Sequence, residues 1–190
     1  MVPAKIRSSF WVSGIAFGVF LAIASWLIHT AYNTELTEVI DCADDPSQSV
    51  MQWMCKKTIY HLRVTPDEVK ELNSMAGAYF AVQLDDKVEA EKLLQYFLSR
   101  GVDINSVDTQ TSDEGFTALH NAVYSNEPKE VELLLAHGAK ADALSSKNQM
   151  PLELAKELQL KHPQEDRSQV IKLLVESGRP KYSGFLRRYN

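Results

Sequence analysis

The sequence has little of what catalysis requires. It contains no P-loop and no HExxH, GxSxG or GxGxxG motif, so the common phosphate, metalloprotease, hydrolase and dinucleotide signatures are missing. None of its five histidines lies four residues from another, which excludes a helical histidine pair for a metal ion. The acidic pairs Asp85-Asp86, Asp113-Glu114 and Glu165-Asp166 fall in predicted loops, and paired catalytic carboxylates also need a pocket. We therefore predict a non-catalytic protein without metal, cofactor or small-molecule substrate.

Basic charge is scarce beyond the N-terminus. Lys5 and Arg7 are the only charged residues before Glu35, and the rest of the chain carries 18 basic against 25 acidic residues. Proteins that bind nucleic acid normally show a basic face. This balance excludes nucleic acid as the expected partner and leaves proteins, basic ones among them.

One long segment has no charge at all. Residues 10–28, FWVSGIAFGVFLAIASWLI, match the length that spans a bilayer core, with Trp11 and Trp26 near the ends as interfacial aromatics. A buried core helix and a cleaved signal peptide are the alternatives, but the run is long and its flank offers a poor cleavage site. We predict a cytoplasmic tail at 1–9 and an uncleaved transmembrane signal anchor at 10–32.

Charge on the two sides of this span sets its expected orientation. Basic residues precede it and acidic residues follow it, so the positive-inside rule places the remainder of a bacterial inner-membrane protein in the periplasm. Within the span Gly14, Gly18 and Ala22 are four residues apart, a spacing that favours packing against another membrane helix. Ordinary use of glycine and alanine in membrane helices explains the same spacing.

Cysteine occurs only twice, at Cys42 and Cys55, and the CxxC spacing of metal and redox sites is absent. The expected periplasmic environment is oxidising. We therefore predict a disulfide between a polar linker, residues 33–46, and the helix that follows it. Two free buried thiols are the alternative.

The most regular stretch of the chain is residues 113–144. Gly115 suits a tight turn, because a residue without Cβ costs least there. Two apolar stripes at helical spacing follow, and Gly138 occupies the usual position after a helix C-terminus. Two helices this short cannot bury their apolar faces alone, so the unit needs stacked neighbours.

This stretch resembles an ankyrin repeat. The matching residues are Asp113, Gly115, Thr117, Leu119, His120, Ala122, Val131, Leu134, Leu135, Gly138 and Ala139. Two departures are Ala118, where the family favours proline, and Asn126, where it favours glycine. The resemblance implies an all-α solenoid, and it implies that His120 hydrogen-bonds the turn backbone.

Less regular copies flank the central unit. Residues 65–105 open with a Thr-Pro-Asp-Glu capping box, whose helix is predicted to carry apolar residues as far as Val82, and they repeat the leucine stripe in a lengthened second helix. Residues 145–179 repeat the pattern at the ankyrin period, with a stretched connection between the helices. We predict that a helix at 47–64 and the tail at 180–190 close the two ends, since repeat arrays need caps. The predicted fold is all-α, with one N-terminal transmembrane helix and an ankyrin-repeat domain at 47–190.

A stacked array exposes a concave surface, and the resemblance implies which residues there contact a protein partner. Carried over to this sequence, they are Asp113, Glu114, Phe116, Tyr124, Ser125, Ser146, Lys147, Gln149 and Glu157. Phe116 and Tyr124 are candidate hot spots, because large aromatic residues are common there. The alternative for Phe116 is that it packs under the neighbouring loop.

Together these features predict a periplasmic protein-binding module anchored in the inner membrane. We expect an immunity protein that neutralises a toxic secreted effector, such as an envelope-targeting phospholipase, because anchoring concentrates the inhibitor where the toxin acts. One alternative is an accessory scaffold that docks or protects a periplasmic enzyme, for example in oxidative-stress defence. Another is a membrane protein that self-associates through the face of Gly14 and Gly18.

Overall fold

The computed structural model describes Ser25, His29 and residues 34–45, 47, 49–62, 64–110 and 114–178. Over these ranges it contains nine α-helices and no strand, with one isolated bridge between Val107 and Thr117. The prediction of an all-helical fold is confirmed for this part of the chain. The chain divides into two compact units, 1–63 and 64–190, which are described separately below.

The predicted membrane anchor falls almost wholly outside the described residues. Among those that are described, no helix is both long enough and apolar enough to cross a bilayer. The tail at 1–9, most of the segment 10–32 and the tail at 180–190 lie outside, as do Gly14, Gly18 and Ala22. The span, its orientation and its packing face stay predictions.

In the first unit, helix α1 spans Leu36–Asp44 and helix α2 spans Ser49–Leu62. The two helices pack against each other, and α1 buries one face along its length. That face consists of Leu36, Val39, Ile40 and Ala43. The interpretation of residues 33–46 as a polar linker is wrong for this helix, because four apolar residues at spacings of three and four make an amphipathic helix despite the acidic residues between them.

A disulfide joins the two helices of this unit. It links Cys42 on α1 to Cys55 on α2, with the two Cα atoms 6.0 Å apart. The predicted pairing is therefore present, although it ties one helix to another rather than a linker to a helix. The expected capping role of α2 stays a prediction.

The second unit is a series of helical hairpins. Its helices are α3 Pro66–Ser74, α4 Ala78–Val82, α5 Lys87–Arg100, α6 Ala118–Tyr124, α7 Pro128–Ala136, α8 Pro151–Lys161 and α9 Ser168–Ser177. The pairs α4–α5, α6–α7 and α8–α9 each form a hairpin, while α4, α6 and α8 lie side by side as an inner row. The core between the rows is apolar; among its fully buried side chains are Leu94, Phe97, Leu119 and Leu134.

The first hairpin departs from the expected single helix over residues 66–82. The chain breaks between α3 and α4, where Ala76 has a φ of 52° and the Gly77 amide donates to the Leu72 carbonyl at 2.7 Å. A Cβ at Gly77 would lie 2.6 Å from the Cβ of Leu72, so the turn closes directly onto α3. The break turns α4 into the short first helix of a repeat and leaves α3 ahead of it.

Arg167 links the last two hairpins. Its guanidinium Nη1 donates to the carbonyls of Val123 at 2.7 Å and Tyr124 at 3.2 Å, at the C-terminal end of α6. The side chain is only 4% exposed, and its Nη2 donates to Glu165 at 2.7 Å. A cation at a helix C-terminus satisfies carbonyls that have no partner within the helix.

Candidate functional site

A groove of about 860 Å³ runs along the inner row of helices in the second unit. Helices α4, α6 and α8 and the turns that precede them supply its lining. The lining residues are Met75, Tyr79, Phe80, Gln83, Asp108, Glu114, Phe116, Asn121, Tyr124, Lys147, Gln149, Leu154, Glu157, Leu158 and Lys161. The groove therefore draws on all three hairpins.

The structure brings most of the predicted contact residues together here. The six that line the groove are Glu114, Phe116, Tyr124, Lys147, Gln149 and Glu157. Ser125 is not among the lining residues, but its hydroxyl lies 2.8 Å from the hydroxyl of Tyr79, which is. Ser146 packs against the turn of the preceding repeat, and Asp113 lies outside the described residues.

The two candidate aromatic residues have different environments. Tyr124 is 57% exposed, whereas Phe116 is only 8% exposed. The Phe116 ring stacks on His120 with centroids 5.5 Å apart and contacts the Tyr124 ring at 6.2 Å. The expectation of an exposed Phe116 is wrong, and the packed alternative holds, because the ring is covered by its neighbours. Phe116 forms the floor of the groove and Tyr124 projects from its wall.

His120 supports this floor from below. The backbone N–H of Thr117 donates to His120 Nδ1 at 3.4 Å, and His120 Nε2–H donates to the Gln149 carbonyl of the next repeat at 2.9 Å. Burial lowers the pKa of His120, so the ring is neutral and supplies one acceptor and one donor. The expected structural role of this histidine is confirmed, and it extends to joining two repeats.

Two ion pairs lie along one side of the groove. Lys147 pairs with Glu114 across neighbouring repeats, and Lys161 pairs with Glu157 one helical turn away. The amide of Gln149 also donates to Glu157 at 2.6 Å. The Lys161 ammonium and the Gln149 amide hold the pKa of the Glu157 carboxyl below its usual value. The charged side chains of this side are thus already partnered within the chain.

The turn at Gly115 sets the distance between the two repeats that carry these pairs. Gly115 has a φ of 58°, and the Ser146 amide donates to the carbonyls of Glu114 at 3.1 Å and Gly115 at 3.2 Å. A Cβ on Gly115 would lie 1.8 Å from the Ser146 hydroxyl. The predicted tight turn is present, and it is also an inter-repeat contact.

Sequence reasoning missed the groove residues of the first hairpin, among them Tyr79, Phe80 and Gln83. Alignment of Ala81 with Ala122 would have found them. It places Phe80 opposite Asn121 and Gln83 opposite Tyr124, so equivalent positions of successive repeats form one continuous face. The signal was overlooked because a single expected helix over residues 66–82 hides where the first helix of this repeat begins.

In the part of the chain that the structure describes, no three metal-binding side chains converge. The lining is instead a mixture of aromatic floor, amides and paired charges. Such a lining provides contact area and hydrogen bonds for a macromolecular surface.

Stacked helical hairpins with an open groove define a repeat solenoid, a class of protein whose extended surface serves protein binding. Residues 79–183 match the family model of ankyrin repeats, in three copies, and this is more than half of the chain. The chain belongs to the ankyrin-repeat family. Ankyrin repeats are protein–protein interaction modules and are in general non-catalytic. Comparison with curated proteins gives no match.

Proposed function

We propose that this protein is a non-catalytic binding module that holds a partner protein in the groove of its ankyrin domain. The observation that carries the proposal is Tyr124, whose side chain is exposed. Its ring contacts the buried Phe116 ring, and its backbone carbonyl accepts a hydrogen bond from Arg167. Aromatic residues of this kind are the commonest anchors of protein interfaces. Because these contacts hold the Tyr124 residue before binding, little conformational entropy is lost when a partner covers the ring.

Tyr124 is held by contacts to its backbone and to its ring. Arg167 donates to its carbonyl from the last repeat, and the Phe116 ring lies against its own ring. Next to it, Ser125 bonds to Tyr79 of the first repeat at 2.8 Å. All three repeats therefore make contacts at Tyr124 or at its neighbour Ser125, which supports a role in contact with a partner.

We further propose that the module works in the periplasm as a membrane-anchored immunity protein. The uncharged segment 10–28 and the acidic residues after it support the anchor and its orientation. The Cys42–Cys55 disulfide supports an oxidising compartment. An inhibitor tethered there meets its target at a raised effective concentration.

Deletion and complementation test this proposal. Deletion of the gene alone is expected to reduce viability, and deletion together with a neighbouring toxin gene is expected to restore it. Full-length Tyr124→Ala is expected not to complement, because the groove loses its projecting anchor. The matched control is Leu160→Ala, an 84% exposed apolar residue that does not line the groove. Normal growth of the single-deletion strain would refute the immunity role.

A further inference from the structure

We infer that the groove binds an extended segment of a partner protein in which a bulky apolar side chain is flanked by lysine or arginine. The inference rests on the proposed protein-binding function and adds the chemistry of the partner. It follows from three properties of the domain: charges within the groove that are already paired, apolar side chains along the groove, and a negative net charge.

The paired charges make an ionic anchor at the centre of the groove unfavourable. Glu114 is paired with Lys147, and both carboxylate oxygens of Glu157 accept hydrogen bonds, one from Lys161 and one from Gln149. A charged partner side chain would have to displace one of these lysines, exchanging one exposed ion pair for another with little net gain. Ionic contacts at this point therefore do not provide the main part of the affinity.

The apolar part of the groove has an almost closed floor beside one exposed ring. Phe116, Leu154 and Leu158 are each only 5–8% exposed at the bottom, whereas Tyr124 beside them is 57% exposed and supplies most of the accessible surface of these four side chains. A leucine, methionine or phenylalanine of the partner that packs between these residues removes apolar surface from water on both sides. The volume of about 860 Å³ exceeds that of one side chain, so a segment of several residues fits.

The negative net charge of the domain selects the residues on either side of that anchor. Residues 64–178 carry eleven basic and twenty acidic residues, so the domain has a strong negative balance. The groove contributes little to this imbalance, because its exposed lysines are matched by carboxylates. Lysine or arginine next to the anchor is therefore attracted at the rim and speeds association, while acidic flanks are repelled.

Selection from a library of random phage-displayed peptides tests this inference with the full-length protein in lipid nanodiscs. The library is panned on wild-type protein and counter-screened on Tyr124→Ala, with Leu160→Ala as the matched control. Peptides that bind wild type and Leu160→Ala but not Tyr124→Ala are expected to share one bulky apolar residue with basic neighbours. In a synthetic peptide of that sequence, alanine at the apolar position is expected to weaken binding more than about tenfold.

Salt gives the second measurement. Replacement of the basic neighbours by glutamine, or about 1 M salt, is expected to slow association of the same synthetic peptide more than it speeds dissociation. Groove-dependent peptides that lack an apolar residue, or that are acidic, would refute the inferred chemistry and leave the binding function standing. Absence of any peptide that distinguishes Tyr124→Ala from Leu160→Ala would refute both.

Discussion

The turn at Gly115 allows a quantitative test of how the repeats are held together. In Gly115→Ala the new Cβ would meet three atoms of Ser146: the hydroxyl oxygen at 1.8 Å, the Cβ at 2.5 Å and the backbone nitrogen at 3.0 Å. Rotation of the serine side chain removes the first contact but not the other two, so the Ser146 loop must move. The left-handed φ of 58° adds backbone strain of about 1 kcal/mol for alanine.

Movement of this loop also weakens two hydrogen bonds. The Ser146 amide donates to the carbonyls of Glu114 and Gly115, and a net loss of about 1 kcal/mol per bond is typical. Overpacking of a filled site costs about 1–3 kcal/mol. A loop that moves away relieves the overpacking as it weakens the hydrogen bonds, so the two costs do not add in full and together amount to about 2 kcal/mol. With the backbone strain, we expect Gly115→Ala to lower the free energy of unfolding by about 3 kcal/mol in total.

Gly138→Ala is the matched control. Gly138 also has a positive φ, 97°, but a Cβ there would meet no atom within 4 Å. It should therefore show the backbone strain alone, about 1–2 kcal/mol. Urea unfolding followed by circular dichroism measures both variants, and Gly115→Ala combined with Ser146→Gly should recover part of the loss. Equal destabilisation by Gly115→Ala and Gly138→Ala would refute the argument that the turn sets the spacing between repeats.

The remaining predictions concern three other contacts. Arg167→Met should cost about 2–3 kcal/mol in urea unfolding, because it removes the guanidinium donor from the Tyr124 carbonyl and from the Val123 carbonyl, which keeps only the Asn126 amide, and Arg167→Lys should recover only part of this. Burial raises the pKa of Glu130, which pairs with Lys87 at 3.3 Å, so its charged form destabilises the fold as pH rises through that pKa. The stability of Glu130→Gln relative to wild type should therefore increase between about pH 4 and pH 7, and an unchanged difference would contradict this sign. Cys42→Ser should destabilise the α1–α2 hairpin by about 3 kcal/mol, since Cys55 lies 13 residues away, and amide exchange over residues 36–62 measures it.

Much of the repeat domain was predictable because its signals are local. The capping box of Thr65 and Glu68 is formed as expected, with the Thr65 amide donating to the Glu68 carboxylate at 2.8 Å. The left-handed conformations of Gly115 and Gly138 are also as expected. Each depends on residues within one turn of the chain, where residue type and backbone conformation are directly related.

Other features required contacts that local patterns do not encode. Helix α1 was missed because its four apolar residues are interrupted by acidic ones, and only packing against α2 shows that they form a single face. The break before α4 was missed because no proline marks residues 75–77; the turn is determined by the close approach of Gly77 to Leu72.

The candidate groove shows the same division between sequence and tertiary structure. The sequence alone indicated six of the side chains that line the groove, because equivalent positions of successive repeats share one orientation. Only the tertiary structure decided that Phe116 is buried, that Tyr124 remains exposed, and that Lys147 reaches Glu114 from the next repeat. The physical reason is that repeat identity depends on spacing along the chain, whereas exposure and pairing depend on atoms that stacking brings together from more than 30 residues away.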